Sequence, residues 1–156
     1  MNRDRIADFE RQYSELHRSR SRVALEAGNE LIYKTDKRHE SDLWPVSVGT
    51  NLIRSAAIVE QTFNGITARL WDDPIEWTLP ERLPTITDLI GYFEEVQKTH
   101  VRGFAFLRSD ADLEKSIPAP IELATLAKLL NETLTRSEKH LFEARSLLMN
   151  YKKHEQ

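Results

Sequence analysis

The sequence predicts an all-α protein, a single four-helix bundle that covers residues 1–156. Four segments place apolar residues at steps of three and four, the spacing of one face of an α-helix. No segment shows the alternation of apolar and polar residues that is typical of strands. A chain of 156 residues, 40% of them hydrophobic, is long enough to enclose one continuous core. Four amphipathic helices around one core make a bundle the simplest architecture.

The first helix is predicted to run from about Asp4 to Glu26 and to end at Gly28 and Asn29. Its apolar stripe recurs at steps of three, four and seven: Ile6, Phe9, Tyr13, Leu16, Val23 and Ala27. A basic run lies on the same helix: His17, Arg18, Arg20 and Arg22. Because glutamates lie around this run, we predict that it is a solvated helix face rather than a phosphate contact.

A second helix is predicted from about Val48 to Leu70, after a long, mostly charged loop over residues 30–44. Pro45 disfavours helix in the residue before it, and Ser47 is a good N-cap. The stripe of this helix steps by four and three: Leu52, Ala56, Val59, Phe63, Ile66 and Leu70.

The segment from Trp71 to Thr85 is predicted to be an extended connection, because it contains Pro74, Pro80 and Pro84. Neighbouring antiparallel helices are usually joined by about two to eight residues. Fifteen extended residues at up to ~3.3 Å each can run ~50 Å, the length of a whole bundle. We therefore predict a long crossover between helices two and three.

The third helix is predicted to begin at a cap at Thr87 or Asp88 and to be closed by Ser109 and Asp110. One face carries its apolar residues and a histidine: Leu89, Phe93, Val96, His100, Phe104 and Leu107. The connection to the fourth helix contains two prolines, so no regular element is expected there.

The fourth helix is predicted to start near Glu122 and to reach Tyr151, with the longest stripe of the chain. This stripe is formed by Leu126, Leu130, Thr133, Ser137, Leu141, Ala144, Leu148 and Tyr151. Glu132, Arg136 and His140 follow one another at i, i+4 and i+8, so they form a polar row beside the stripe. Such a row is typical both of a binding site and of an ordinary helix flank.

Composition excludes several classes of protein. The chain has no cysteine, which excludes a thiol nucleophile and a disulfide scaffold and favours a cytoplasmic location. The N-terminus has no apolar signal region, and no window is apolar enough to span a membrane. With a formal net charge of -3, no nucleic-acid partner is expected.

Several segments taken together are similar to DinB-like proteins. The run from Trp44 to Arg54, W-P-V-S-V-G-T-N-L-I-R, resembles the W-S-x-G-x-x-L-x-H entry into the second helix of that family. The crossover, the stretch from Leu89 to Leu113 and the closing helix to Tyr151 follow the same order and spacing. The resemblance implies an up-down-down-up bundle, in which helices two and three are parallel, and a homodimer.

The chain departs from the family at its metal site. DinB-like proteins hold a divalent metal with three histidines, one from the second helix and two spaced by four on the last. The matching positions here are Arg54, Arg136 and His140. Arginine stays protonated and has no free lone pair, so it cannot ligate a metal. No metal cofactor is therefore expected at these positions.

Three interpretations of the polar residues stay open. Arg54 and Arg136, with His140 and Glu132, can clamp a small carboxylate or phosphate. The second is that no clamp exists, either because Arg136 pairs with Glu132 and the old site is closed or because Arg54 points outwards. The third is a displaced zinc or nickel site formed by inward histidines of three helices: His17, His100 and His140.

Two classes of function follow. The first is a non-catalytic or small-anion-binding bundle that has lost the family's metal site. The second is a metal-dependent enzyme, a hydrolase or thiol S-transferase, with a rearranged site.

Apolar residues beyond the four stripes predict a homodimer. Ile53, Ala57 and Ile58 lie beside the main stripe of the second helix, and the crossover carries further large side chains: Trp71, Ile75 and Trp77. Large apolar groups outside one core usually mark an interface or a loop packed on the surface. Closed two-fold pairing is the commonest way to bury such a patch.

Overall fold

The computed structural model describes residues 2–35, 46–74 and 80–154. Within these ranges there are four long α-helices, α1 (Asp4–Leu31), α2 (Val48–Ala68), α3 (Ile86–Ala105) and α4 (Leu126–His154). Two short 3-10 helices lie in the connections, at Pro80–Arg82 and Asp110–Glu114. The prediction of an all-α, four-helix protein is confirmed. None of the helices in the described ranges has both the length and the apolar character needed to cross a membrane.

One element between α3 and α4 was not predicted. Strands β1 (Ser116–Pro118) and β2 (Leu123–Thr125) form an antiparallel hairpin in which Ile117 faces Ala124. Strands of three residues are too short to show an alternating pattern in the sequence. Because β2 takes up residues 123–125, α4 begins at Leu126 and not near Glu122 as predicted.

Paired contacts show the directions of neighbouring helices. Between α2 and α4 residue numbers rise on one helix as they fall on the other, with these pairs: Asn51 and His140, Ser55 and Ser137, Thr62 and Thr133. These helices are therefore antiparallel. Between α2 and α3 the numbers rise together, from the pair Glu60 and Tyr92 to the pair Phe63 and Phe104. The predicted up-down-down-up order requires this parallel relation.

Aromatic rings from three helices meet in the core. The ring centroids of Phe63 and Phe104 are 5.1 Å apart, and Tyr13 lies 5.5 Å and 5.4 Å from them. All three pairs meet edge-on, a favourable arrangement for aromatic rings. His100 lies against this group, 5.8 Å from Tyr13. The predicted apolar faces of α3 and α4 are buried, apart from the half-buried Tyr151.

The helix N-termini are capped by side chains. Ser47 forms a capping box with Thr50 on α2, as its predicted role requires. Thr85 forms the equivalent box with Asp88 on α3, so the N-cap lies before the predicted positions. The start of α1 is capped from a distant segment, because the Asp110 carboxylate accepts from the backbone N–H groups of Arg5 and Ile6, at 3.0 Å and 3.1 Å.

Helix α1 extends beyond its predicted end. Gly28 has φ +65° and ψ 174°, which interrupts the helix as predicted, but a further turn resumes and reaches Leu31. Asn29 in this turn accepts a hydrogen bond from the Ile86 backbone N–H at 2.8 Å. The prediction for the loop falls largely on residues outside the described ranges.

Two predictions about exposure are wrong. Arg20 and His17 are buried, while Arg18 and Arg22 of the same basic run are exposed. On α2, Ile53, Ala57 and Ile58 are buried by the chain itself. They leave no exposed patch for a partner subunit.

Trp71, the first residue of the predicted crossover, is half-buried and packs against Gly65. The prediction that Ile75 and Trp77 contribute to a dimer interface falls outside the described residues. The homodimer itself stays a prediction.

The aromatic core predicts opposite effects for two glycines of α3. A Cβ atom at Gly103 would collide with the Phe63 ring, whereas one at Gly91 would meet open space. We expect Gly103→Ala to lower the free energy of unfolding by about 1 to 3 kcal/mol through overpacking. Gly91→Ala should raise it by about 0.5 to 1 kcal/mol, because alanine favours helix. Urea titration measures both, and a stabilised Gly103→Ala protein would contradict this packing.

Candidate functional site

Polar side chains cross the interface of α2 and α4 at several levels. The Oγ atoms of Ser55 and Ser137 are 2.8 Å apart, and each hydroxyl lies within hydrogen-bond distance of the other residue's carbonyl. The hydroxyls of Thr62 and Thr133 are 2.6 Å apart. These four side chains are buried. They hold the two helices close together and fix their register.

A small pocket lies beside this interface. It has a volume of about 100 Å³ and is lined by Arg54, Ala57, Ile58, Gln61, Asp73, Arg136 and His140. Three of the four predicted ligand-binding residues therefore meet at one place. Arg54 is half-buried and lines this pocket.

A larger cleft of about 440 Å³ adjoins the small pocket. Its walls come from the end of α2, the hairpin and the first turns of α4: Gln61, Thr62, Trp71, Ala119, Pro120, Ile121, Glu122, Ala124, Lys128, Leu129, Glu132, Thr133 and Arg136. The fourth predicted residue, Glu132, lies here and not in the small pocket. Gln61 and Arg136 line both spaces.

The charged residues around the larger cleft do not form the predicted ion pair between Glu132 and Arg136. Lys128 Nζ lies 3.1 Å from Glu122 Oε1 and 4.0 Å from Glu132 Oε1. Glu132 therefore turns towards Lys128 and not towards Arg136. In the described parts of the chain, the Arg136 guanidinium makes no hydrogen bond and no ion pair. The predicted closure of the site by a Glu132 and Arg136 pair is not observed.

His140 is held in one tautomer by its neighbours. The Asn51 side-chain amide donates to the Ser47 carbonyl, so its Oδ1 atom is turned to His140 Nδ1, 3.4 Å away. Nδ1 therefore carries the proton, and the Nε2 lone pair is free. Burial lowers the pKa of His140, the charges of Arg54 and Arg136 lower it further, and Glu143 opposes them. His140 is therefore neutral at neutral pH.

A second cluster of nitrogen-bearing side chains lies inside the bundle, away from both pockets. Arg20 is fully buried, and its Nη1 donates to Ser55 Oγ at 3.3 Å and to Ser137 Oγ at 3.2 Å. Its Nε and Nη2 atoms have no hydrogen-bond partner among the residues that the structure describes. The same holds for both ring nitrogens of His100 and for Nδ1 of His17.

Burial determines the protonation of this cluster. It lowers the pKa of Arg20 to about 10, so the guanidinium stays charged at neutral pH. It also lowers the pKa of His100 to about 4, with smaller contributions from the charges of Arg20 and His17. The pKa of His17 is lowered mainly by burial and by Arg20.

The displaced metal site is not assembled. Across residues 2–35, 46–74 and 80–154, no group of three or more His, Cys, Asp or Glu side chains is placed to hold a metal. His17 and His100 lie with Arg20 inside the bundle, whereas His140 lies beside Asn51 and Glu143. The charge of Arg20 also opposes a cation between the two interior histidines.

The sequence contained one signal for the buried arginine. The stripe of α1 steps by seven from Leu16 to Val23, and Arg20 occupies the position that divides this gap into steps of four and three. An arginine at a stripe position is therefore a candidate for burial. No comparable signal identified Trp71 or Asp73, because the irregular backbone after α2 brings them to the site. Gln61 lies on α2 itself, about two helical turns after Arg54.

Comparisons with known proteins add no relative: no family model, no curated protein and no solved structure matches the chain. The resemblance to DinB-like proteins stays a prediction from the sequence motifs. What the site can do is therefore argued from its own geometry.

The buried His100 predicts acid sensitivity. Its pKa is about 4 in the folded protein and about 6.5 when unfolded, so the unfolded state binds more protons below about pH 6.5. Stability is fully present above that pH and is lost as the pH falls towards 4. Between about pH 7.5 and pH 5, His100 should remove about 2 kcal/mol from the free energy of unfolding. Urea titrations at both pH values should show a smaller loss in His100→Leu, and an unchanged loss would contradict this assignment.

The arginines at the matched positions predict a protein without stoichiometric metal. We expect less than one equivalent of zinc, nickel, manganese or iron after purification without a nickel column, because guanidinium groups repel cations. Elemental analysis by mass spectrometry measures the content. An equimolar metal that disappears in His140→Ala would contradict the prediction and favour the enzyme.

Proposed function

We propose that this protein is a DinB-like bundle that has lost the family's metal site and binds a small carboxylate with an apolar body. The observation that carries the proposal is the position of Arg136. It lies at the junction of the small pocket and the larger cleft, and it makes no hydrogen bond or ion pair within the described residues. A guanidinium in this state offers a planar fork of donors to a carboxylate.

The distribution of charge supports the small pocket as the site of the ligand's anionic group. Arg54, Arg136 and Asp73 give this pocket a net charge of +1, with His140 neutral. In the larger cleft, the charges of Lys128 and Arg136 are balanced by two glutamates. A carboxylate is therefore favoured beside Arg54 and Arg136, and Asp73 disfavours a second negative charge.

The larger cleft fits the apolar body. Its volume of about 440 Å³ lies within the range of about 300 to 1,000 Å³ that is usual for small-molecule sites. Trp71, Ala124 and Leu129 supply an apolar wall. The small pocket, about 100 Å³, holds about three water molecules at ~30 Å³ each. It therefore suits a carboxylate group and not a ring.

The resemblance to DinB-like proteins gives independent support. It matched Arg54, Arg136 and His140 to three metal ligands, which must lie close together in that family. These three residues of α2 and α4 line one pocket here. The positions thus share a site, while two of the three side chains are arginines that favour anions.

Binding of aromatic carboxylates tests the proposal. We expect phenylacetate and indole-3-acetate to bind, and the corresponding neutral amides to bind far more weakly, because only the acids pair with Arg136. Arg136→Gln should weaken carboxylate binding about tenfold or more, since a hydrogen bond to a charged group contributes about 1.5 to 3 kcal/mol. Isothermal titration calorimetry measures both effects.

Arg145→Gln is the matched control, because Arg145 is also an exposed arginine of α4 but lines neither space. Its affinity should equal that of the wild type. The proposal fails if the wild-type protein binds acids and amides equally, or if both arginine variants lose affinity to the same extent.

A further inference from the structure

We propose that Arg20, together with His100 and His17, binds a small monovalent anion such as chloride inside the helical bundle. This site is separate from the carboxylate site, because none of the three residues lines the small pocket or the larger cleft. It is independent of the proposed function and rests on the contents of the core.

The buried positive charge of Arg20 is not balanced by a neighbouring acidic side chain in the described ranges. Arg20 is 0% exposed and donates only to two serine hydroxyls, which are neutral. No carboxylate in the described ranges pairs with it. The acid that acts on this cluster, Glu94, is exposed on α3 and acts on His17. A buried charge normally has a counter-ion, because the low polarity of a protein interior does not screen it.

Arg20 and His100 also carry buried nitrogen atoms without a hydrogen-bond partner among the described residues. Arg20 Nε and Nη2 carry N–H groups without a partner, and the nitrogens of His100 are equally unpartnered. A neutral imidazole can place its single proton on either nitrogen, so His100 can turn an N–H towards the anion that Arg20 attracts. Buried donors without acceptors are rare in native proteins, and an ion or a water accounts for most of them.

The residues around Arg20 favour one kind of anion. The surroundings are aromatic: the Arg20 guanidinium carbon lies 6.0 Å from the Phe93 ring centroid, and His100 packs against Tyr13 and Phe104. Such walls cannot replace the hydration shell of phosphate or sulfate. They suit a single, weakly hydrated charge, which loses less on leaving water, and the positive edges of aromatic rings are compatible with it. Chloride and bromide have this character.

The test compares bromide with fluoride at constant ionic strength. Fluoride is strongly hydrated and should remain in water, whereas bromide should bind the folded wild-type protein. When the bromide concentration rises from the dissociation constant to ten times that value, the ratio of folded to unfolded protein should rise about fivefold, as for any ligand that binds only the folded state. Urea titrations measure this ratio.

Arg20→Met should abolish the bromide response, and Arg145→Met, which removes an exposed arginine, should retain it. If Arg20→Met does not fold, His100→Leu should weaken the response. Crystals of the wild-type protein grown with bromide provide a second test. The proposal requires an anomalous peak for bromide within hydrogen-bond distance of Arg20. An equal response in wild type and Arg20→Met, or density for water only beside Arg20, would overturn the proposal.

Discussion

The charge of Arg20 at the centre of the bundle is the constraint on which the packing of three helices depends. Removing a guanidinium from water costs several kcal/mol even after the protein relaxes. Arg20 of α1 recovers part of this cost by donating to Ser55 of α2 and Ser137 of α4. A shift of any of these helices by one turn, about 5.4 Å, would remove those acceptors. Arg20 therefore ties the register of α1 to α2 and α4, whose own register is fixed by the serine and threonine pairs.

The same serine pair determines the geometry of the candidate site. Ser55 and Ser137 bond to each other's hydroxyl and carbonyl groups, which requires close approach of α2 and α4. Arg54 and Arg136 each precede one of these serines in the chain. Their backbones are therefore fixed by the interior contact, although their side chains lie at the surface. The interior contact thus fixes the distance between the backbones of Arg54 and Arg136.

Each sequence pattern predicts only one kind of structural feature. Apolar periodicity indicates burial along one helix, so it predicts most of the four stripes and, with Ser47, the start of α2. It fails at Leu70, which lies beyond the end of α2 and is exposed. It does not record contacts between distant segments. The sequence therefore did not predict that Asp110 caps α1 or that Trp71 lines the larger cleft. Arg20 was assigned to the surface because charge was weighed above its position within the stripe. The spacing of Arg136 and His140 predicts that they are neighbours on α4, whereas Arg54 was added to them only through the resemblance.

The tautomer of His140 bears on which ligand the small pocket can take. The Asn51 carbonyl oxygen holds the proton on Nδ1, so Nε2 presents a lone pair. A lone pair attracts metals and hydrogen-bond donors and repels carboxylates. With histidine at all three matched positions, the pocket would present lone pairs to a cation. Arg54 and Arg136 occupy two of these positions, so their guanidinium N–H donors outnumber the single lone pair of His140. In this tautomer, His140 Nε2 can only accept a hydrogen bond. Under the proposed function, arginine at two of the three positions thus reverses the charge that three histidines would select.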